Sequence, residues 1–221
     1  MPCRCCRDAY EDVFDEKLAQ KDVRRYRRRG VDAAAATIVG FLKRSGVEDQ
    51  RVLEIGGGVG ALQLELLHAG AAGTENVELS PGYEAAAHEL ARERGVDDRI
   101  ERRVGDFVAT ADEVGDADVV LLHRVVCCYP DLDALLGAAA ERARRRLVLT
   151  YPPHNAASRA VVALLNVVQR LRGHEFRVFV WPRSEIARVV ASRGLTPVRE
   201  DRASPFWRWA AFERRPSVPL A

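Results

Sequence analysis

The sequence lacks the features of membrane-spanning, secreted and strongly basic proteins. No apolar run approaches the roughly 18 residues that a membrane-spanning helix needs. The amino terminus, MPCRCCRDAY, has neither an apolar core nor a cleavage site, so we expect no signal peptide. Lys and Arg number 34 against 32 Asp and Glu, which excludes a uniformly basic domain that coats nucleic acid. We therefore expect a cytoplasmic protein without a membrane partner.

The cysteines are few and bunched, unlike those of a disulfide framework. The 5 cysteines form an amino-terminal group, Cys3, Cys5 and Cys6, and an adjacent pair, Cys127 and Cys128. This distribution favours reduced thiols that bind no metal. A zinc site built from both groups is the alternative interpretation.

The amino-terminal part of the chain is more densely charged than the rest. No internal repeat or long Pro/Gly/Ser linker interrupts the sequence, so we expect one domain over residues 46–214. A helical arm over 1–45 precedes this domain, and a disordered tail over 215–221 follows it. The arm contains a basic run from Arg24 to Arg29 that ends at Gly30, and then a second helix capped by Asp32. The basic run is interpreted as a solvated helix face, with contact to an anionic ligand or RNA as the alternative.

From residue 51 the hydrophobic pattern alternates between strands and helices. The strand-like runs RVLEI, TENVELS, RIERRV, ADVVLLH and RLVLTY are separated by helical segments, which predicts βαβ units and a parallel sheet. Two final strand-like runs, LTPVRE and PFWRWAAFE, are joined by a turn too short for a parallel crossover, so they should pair antiparallel. The sequence thus predicts an α/β fold. Its Rossmann-like sheet of seven strands is mostly parallel, with helices on both faces and a carboxy-terminal antiparallel hairpin.

The segment VLEIGGGVG, residues 52–60, leads a strand into a glycine-rich turn that opens a helix. Glycine is needed where the backbone turns sharply and where a ligand lies directly against it. Gly56, Gly58 and Ala61 also satisfy the dinucleotide pattern G-x-G-x-x-G/A, and the acidic Glu78 lies about 20 residues further on. The turn alone therefore leaves a nicotinamide dinucleotide open as the ligand.

Acidic residues at three predicted strand ends favour a different ligand. Glu54 lies at the end of the first strand, where it would repel a pyrophosphate but suits a cation with ammonium and sulfonium groups. Glu78 ends the second strand, and its carboxylate can accept hydrogen bonds from both hydroxyls of a ribose. Asp106 follows the third strand and can accept from an adenine amine, while the Phe107 N–H donates to the ring. A ligand with amino acid, ribose and adenine parts uses all three acidic residues.

These segments resemble the class I S-adenosylmethionine-dependent methyltransferase family. VLEIGGGVG is similar to the first motif of that family, VELS to its acidic ribose loop and GDF to its adenine loop. ADVVLLHRVVCCYPD is similar to the fourth-strand motif beside the methyl donor. The resemblance implies a methyltransferase that uses S-adenosylmethionine, with the arm, including Arg27, closing over the cofactor as a lid. The cofactor-binding residues that it implies are Tyr26, Glu54, Gly56, Gly57, Gly58, Gly60, Glu78, Leu79, Asp106, Phe107 and His123.

Two histidines are candidate catalytic residues. His123 follows the fourth strand and is a candidate base, with a cofactor contact or a pocket wall as the alternative. His154 follows the fifth strand and is a second candidate base or substrate contact. The Asn/Asp-Pro-Pro-Tyr motif of the nucleic-acid and amide-methylating branch is absent after the fourth strand. We therefore expect a small-molecule acceptor, methylated on oxygen or nitrogen without a metal. An RNA methyltransferase and a non-catalytic cofactor-binding protein are the alternatives.

Apolar residues recur at helical spacing after the fifth strand. Residues 150–173 are similar to the corresponding segment of magnesium-protoporphyrin O-methyltransferases, which also carry a leading arm. This segment predicts a bulky, apolar acceptor. The alternative is a helix that simply packs on the sheet and on the arm.

Overall fold

The fold is built on a single mixed sheet, in a computed structural model that describes residues 10–215. Seven strands in these residues follow the order β3-β2-β1-β4-β5-β7-β6. Strands β1 to β5 pair in parallel, whereas β7 pairs antiparallel with both β5 and β6. The strands are β1 Arg51–Ile55, β2 Gly73–Glu78, β3 Ile100–Val104, β4 Ala117–Leu122, β5 Ala143–Tyr151, β6 Leu195–Ser204 and β7 Trp207–Arg214. The predicted mostly parallel sheet with a closing antiparallel hairpin is confirmed.

Helices cover both faces of the sheet, as predicted. Side chains alternate between the faces along each strand, so Val119 and Leu121 of β4 belong to one apolar core and Val120 and Leu122 to the other. Helices α1 to α4 lie over the first core, and α6 and α8 lie over the second. The helices are α1 Glu16–Arg29, α2 Ala33–Arg44, α3 Ala61–His68, α4 Glu84–Glu93, α5 Phe107–Thr110, α6 Leu132–Arg142, α7 Ala156–Leu171 and α8 Arg183–Ser192.

The amino-terminal arm packs tightly against the rest of the chain. Arg27 on α1 forms ion pairs with Glu89 and Glu93 on α4. The arm also passes very close to the turn before α4, because a Cβ on Gly82 would lie 2.9 Å from the backbone nitrogen of Glu16. Only glycine allows this approach without displacing the arm. The basic run is thereby divided, since Arg27 pairs with two carboxylates of α4 while the other arginines of the run are exposed.

Helix α7 differs from the other long helices of the described chain because none of its side chains is buried. The alternative of a helix that packs on the sheet and on the arm is therefore not matched by any buried side chain of α7, and most of its large apolar residues instead face outward. No helix among residues 10–215 combines the length and apolar character needed to cross a bilayer. The predicted disordered tail lies outside the described residues, apart from the exposed Arg215.

Candidate active site

A cavity of about 410 Å³ opens at the carboxyl ends of β1, β2 and β4. The strand order reverses between β1 and β4, and ligands of open α/β sheets bind at such a reversal. The volume lies within the range of roughly 300–1,000 Å³ that is usual for small-molecule sites. Of the predicted site residues, Tyr26, Glu54, Gly56, Gly57, Gly58, Glu78, Leu79, Asp106, Phe107 and His123 line this cavity.

Two predicted residues lie apart from the lining. Gly60 precedes α3 with a φ of 79° and serves the turn, while its neighbours Val59 and Ala61 line the cavity. His154 is exposed and does not line the cavity. The structure thus brings together His123 and the three acidic residues, but not His154.

The glycine-rich turn presents bare backbone to the cavity. Gly56 and Gly58 have φ values of 67° and 56°, in the left-handed region that favours glycine. A Cβ on Gly57 would lie 2.6 Å from both the Oδ1 of Asn76 and the Oε2 of Glu54, so this position has no room for a side chain. The turn is tied to β2, because the Gly57 N–H donates to Asn76 at 2.9 Å and the Gly58 N–H donates to Glu78 at 2.8 Å.

Glu54 is a buried carboxyl group with an unsatisfied oxygen. Its side chain lies beneath the glycine turn, and Oε2 has no hydrogen-bond partner among residues 10–215. Burial raises the pKa of Glu54 to about 8, against the opposing charge of Arg102. A buried carboxyl group without a partner costs stability, and a cationic ligand would relieve that cost. The geometry therefore fits an ammonium or sulfonium group beside Glu54.

Glu78 and Asp106 lie on the same cavity and are oriented by backbone N–H groups. Burial raises the pKa of Glu78, whereas hydrogen bonds from the N–H groups of Ser80 and Gly58 oppose that rise. Asp106 caps α5 by accepting from the Val108 N–H at 3.0 Å. Both carboxyl groups retain acceptor capacity for hydroxyl or amine donors of a ligand.

A tyrosine that sequence reasoning missed also contacts this region. The Tyr129 hydroxyl lies 3.2 Å from each carboxylate oxygen of Asp106, and its ring lines the cavity. Tyr129 belongs to the CCYPD segment after β4, where the sequence offered no sign that it would reach the end of β3.

His123 is held between β5 and the arm. Its Nδ1 lies 3.3 Å from the Thr150 hydroxyl of β5, and its Nε2 lies 3.5 Å from the Oδ2 of Asp32. Arg124, with a φ of 63°, also reaches the same Asp32 oxygen at 2.7 Å. Burial would raise the pKa of Asp32, but His123, the Ala35 N–H and Arg124 together hold it well below its usual range. Asp32 was predicted as a helix cap, and its place beside His123 is visible only in the structure.

Tyr26 contributes to the cavity wall, but its hydroxyl is directed elsewhere. The hydroxyl donates to Glu65 on α3 at 2.9 Å, and Arg94 lies over the ring. Burial, together with the hydrogen bond to Glu65, raises the pKa of Tyr26 to about 12. The ring of Tyr26 thus faces the cavity while its polar end joins the arm to α3.

The cysteine pair lies at the edge of the same cavity. Cys128 lines it, and the sulfur atoms of Cys127 and Cys128 are 3.5 Å apart with both thiols free. Within the part of the chain that the structure describes, no cluster of three or more potential metal ligands occurs. Cys3, Cys5 and Cys6 lie outside that part, so the zinc interpretation stays untested.

Comparison with known proteins relates the chain to methyltransferases. Residues 53–146 match the family described as a methyltransferase domain. The magnesium protoporphyrin IX methyltransferase from Synechocystis PCC 6803 has 18% identity and a TM-score of 0.76, over 95% of this chain and 100% of that one. That structure contains bound SAH. A search among curated proteins found no match.

Two further solved structures share the fold. An O-methyltransferase family protein from Burkholderia thailandensis has 20% identity and a TM-score of 0.67, over 96% of this chain and 60% of that one. The mitomycin 7-O-methyltransferase MmcR has 25% identity and a TM-score of 0.64, over 82% of this chain and 53% of that one. The similarity to the Synechocystis magnesium protoporphyrin IX methyltransferase includes the amino-terminal arm, since the matched region covers 95% of this chain.

Proposed function

We propose that this protein, which is a class I S-adenosylmethionine-dependent methyltransferase, methylates an oxygen or nitrogen atom of a small organic acceptor. Its fold is that of S-adenosylmethionine-dependent small-molecule O-methyltransferases. The observation that carries the proposal is the buried Glu54 carboxyl group, whose Oε2 is unpartnered beside a glycine backbone. Glu78 and Asp106 on the same cavity complete a set of acceptors suited to the cofactor.

The proposed cofactor contacts follow from the chemistry of each residue. Glu54 pairs with the ammonium group of the cofactor, and Glu78 accepts from its ribose hydroxyls. Asp106 accepts from the adenine amine, and Phe107 and Leu79 border the ring. When bound, S-adenosylmethionine supplies an electrophilic methyl group on a sulfonium that leaves as a neutral sulfide. The chain itself positions this group against the acceptor, which is the larger part of the expected rate acceleration.

His123 is the proposed base for the acceptor. The Thr150 hydroxyl oxygen accepts from the Arg124 N–H at 2.8 Å and lies 3.3 Å from the Nδ1 of His123. In the tautomer whose Nδ1–H donates to Thr150, the Nε2 of His123, a residue that lines the cavity, keeps its lone pair. At 3.5 Å, the contact between Nε2 and Asp32 is longer than an ordinary hydrogen bond. An acceptor hydroxyl can thus donate to Nε2, and Asp32 stabilises the imidazolium that results.

The proposed acceptor is bulky and apolar. Apolar side chains of the arm and of the loop after β4 form much of the cavity wall, including Phe14, Leu18 and Val125. The similarity over the whole length of a magnesium protoporphyrin IX methyltransferase also supports a bulky acceptor.

The proposed location is the cytoplasm, because the free thiols of Cys127 and Cys128 are consistent with a reducing compartment.

Two measurements test the proposal. Calorimetry should detect S-adenosylhomocysteine binding to the wild type, and Glu54→Gln should weaken it, because the ammonium loses its carboxylate partner. Incubation with cofactor labelled on the methyl group and with cell extract should then label a small product. Label in no product would favour the non-catalytic binding protein. Labelling that disappears after ribonuclease treatment would favour the RNA methyltransferase.

A further inference from the structure

The loop after β4, residues 124–130, connects the two ends of the cavity. It begins beside His123, and Tyr129 near its end lies against Asp106, which follows β3. Between these two points, Val125 packs against the glycine-rich turn. One short loop therefore borders the proposed base, the turn and the residue that is proposed to accept the adenine amine.

This loop is held in place from its outer side by the segment that follows α7. The Phe179 N–H donates to the Cys127 carbonyl at 2.7 Å. The indole N–H of Trp181 donates to the Val126 carbonyl at 3.0 Å. Both bonds form within the chain without a ligand, so Tyr129 reaches the cavity from a segment that is already fixed.

The Tyr129 hydroxyl restricts the orientation of the Asp106 carboxylate. It lies 3.2 Å from both Oδ1 and Oδ2, so its proton is shared between the two oxygens. The Val108 N–H donates to Oδ1 alone, at 3.0 Å. With that bond alone the carboxylate could turn about its Cβ–Cγ bond, because such a torsion has only broad minima. The contact from Tyr129 to both oxygens opposes this rotation.

The pair of Tyr129 and Asp106 still has room for a ligand donor. A carboxylate offers about four acceptor sites, and the Val108 N–H and the Tyr129 hydroxyl occupy at most three of them. The ring of Tyr129 packs on the apolar core that contains Phe107 and Leu135, and all three residues line the cavity. A flat ring in this part of the cavity would meet apolar walls and one oriented carboxylate.

We propose that Tyr129 is a positioning residue, which orients the Asp106 carboxylate toward the adenine amine and so makes the cofactor site selective for adenine. This inference rests on the proposed function, because it takes the adenine of S-adenosylmethionine to lie beside Asp106. A purine with an amine at this place donates a proton to the carboxylate. A purine with a carbonyl oxygen there would set two acceptors against each other.

Calorimetry with two ligands tests the selectivity without any measurement of methyl transfer. The first ligand is S-adenosylhomocysteine, and the second is S-inosylhomocysteine, in which a carbonyl oxygen replaces the adenine amine. The wild type should bind the first at least tenfold more tightly, since a hydrogen bond to a charged acceptor is lost with the second. Equal affinities of the wild type for the two ligands would overturn the proposal.

Two tyrosine variants assign the selectivity to Tyr129. Tyr129→Phe keeps the ring and should weaken S-adenosylhomocysteine binding about fivefold, while the affinity for S-inosylhomocysteine changes less than about twofold. The matched control is Tyr151→Phe, which removes a buried hydroxyl that donates to Glu200 at 2.7 Å outside the cavity. This control should leave both affinities unchanged.

The direction of the effect decides between orientation and other roles of the hydroxyl. An equal loss of affinity for both ligands in Tyr129→Phe would indicate a merely structural role and overturn the proposal. An unchanged or higher affinity for S-adenosylhomocysteine would also overturn it. A rise would mean that the hydroxyl acts mainly by competing with the ligand for the carboxylate.

A double-mutant cycle shows whether Tyr129 acts through Asp106. Tyr129→Phe should have no further effect on S-adenosylhomocysteine binding when it is added to Asp106→Ala, because a positioning residue has nothing left to orient. Additive losses would mean that Tyr129 contacts the ligand itself, which would overturn the proposal. Failure of the wild type to bind S-adenosylhomocysteine would instead refute the proposed function, so the two failures are distinguishable.

Discussion

The Oδ2 atom of Asp32 lies 3.5 Å from the Nε2 of His123, which joins the amino-terminal arm to the end of β4. The other carboxylate oxygen of Asp32 caps α2 by accepting from the N–H groups of Ala34 and Ala35 at 2.9 and 3.0 Å. One side chain therefore both caps a helix of the arm and places a negative charge beside the proposed base. The arm thus supplies part of the proposed catalytic arrangement, in addition to covering the cavity.

The role of Asp32 is tested by Asp32→Asn. We expect kcat to fall about tenfold or more, because the imidazolium of His123 loses its negative partner. The asparagine oxygen still caps the helix, but the ion pair with Arg124 is lost, so the free energy of unfolding should fall near neutral pH. The matched control is Asp131→Asn, which changes the exposed cap of α6 and should leave kcat unaltered. An unchanged kcat and pH profile in Asp32→Asn would contradict the positioning role.

His123 and His154 are distinguished by their separate replacement with alanine. His123→Ala should lower kcat by about 10²–10⁴-fold, the usual contribution of a general base, with little change in cofactor affinity. His154→Ala should leave kcat within about twofold, because that side chain is exposed and outside the cavity. Initial rates at saturating cofactor measure both. The opposite order of effects would exchange the two assignments.

Glu78→Ala tests the ribose contact. Loss of hydrogen bonds to a charged acceptor should weaken S-adenosylhomocysteine binding by about 1.5–3 kcal/mol per bond. Glu75→Gln is a suitable control, since Glu75 is a buried carboxylate of the same strand that pairs with Arg103 away from the cavity. Calorimetry that finds equal affinities for Glu78→Ala and the wild type would refute this contact.

The raised pKa of Glu54 predicts that the free energy of unfolding of the ligand-free protein depends on pH. Burial raises the pKa of Glu54 from 4.5 to about 8, so between these values the folded state keeps a proton that the unfolded state has lost. Its contribution to stability is complete below about pH 4.5 and is lost as the pH rises through about 8. The slope approaches about 1.4 kcal/mol per pH unit for one proton. Relative to the wild type, Glu54→Gln should lack this slope in denaturant unfolding between about pH 5 and 8. Parallel stability curves for the two proteins would show that Glu54 is ionised throughout.

Much of the fold was predictable because its signals are local. Strand and helix periods, the glycine turn and the short final turn each depend on a few consecutive residues, and together they predict the sheet with its antiparallel hairpin. The acidic residues at the ends of β1, β2 and β3 could also be placed together, because the carboxyl ends of parallel strands meet at one edge. The exposure of α7 was not predictable, because apolar residues recur at the same helical spacing whether the helix faces a core or solvent.

The sequence by itself determined the α/β sheet, the bare glycine turn and the grouping of Glu54, Glu78 and Asp106. Only the tertiary structure decided that Asp32 reaches His123, that Tyr129 reaches Asp106 and that His154 is excluded from the cavity. The physical reason is the range of the interactions. Secondary structure follows from neighbouring residues, whereas the partner of a side chain depends on how distant segments pack.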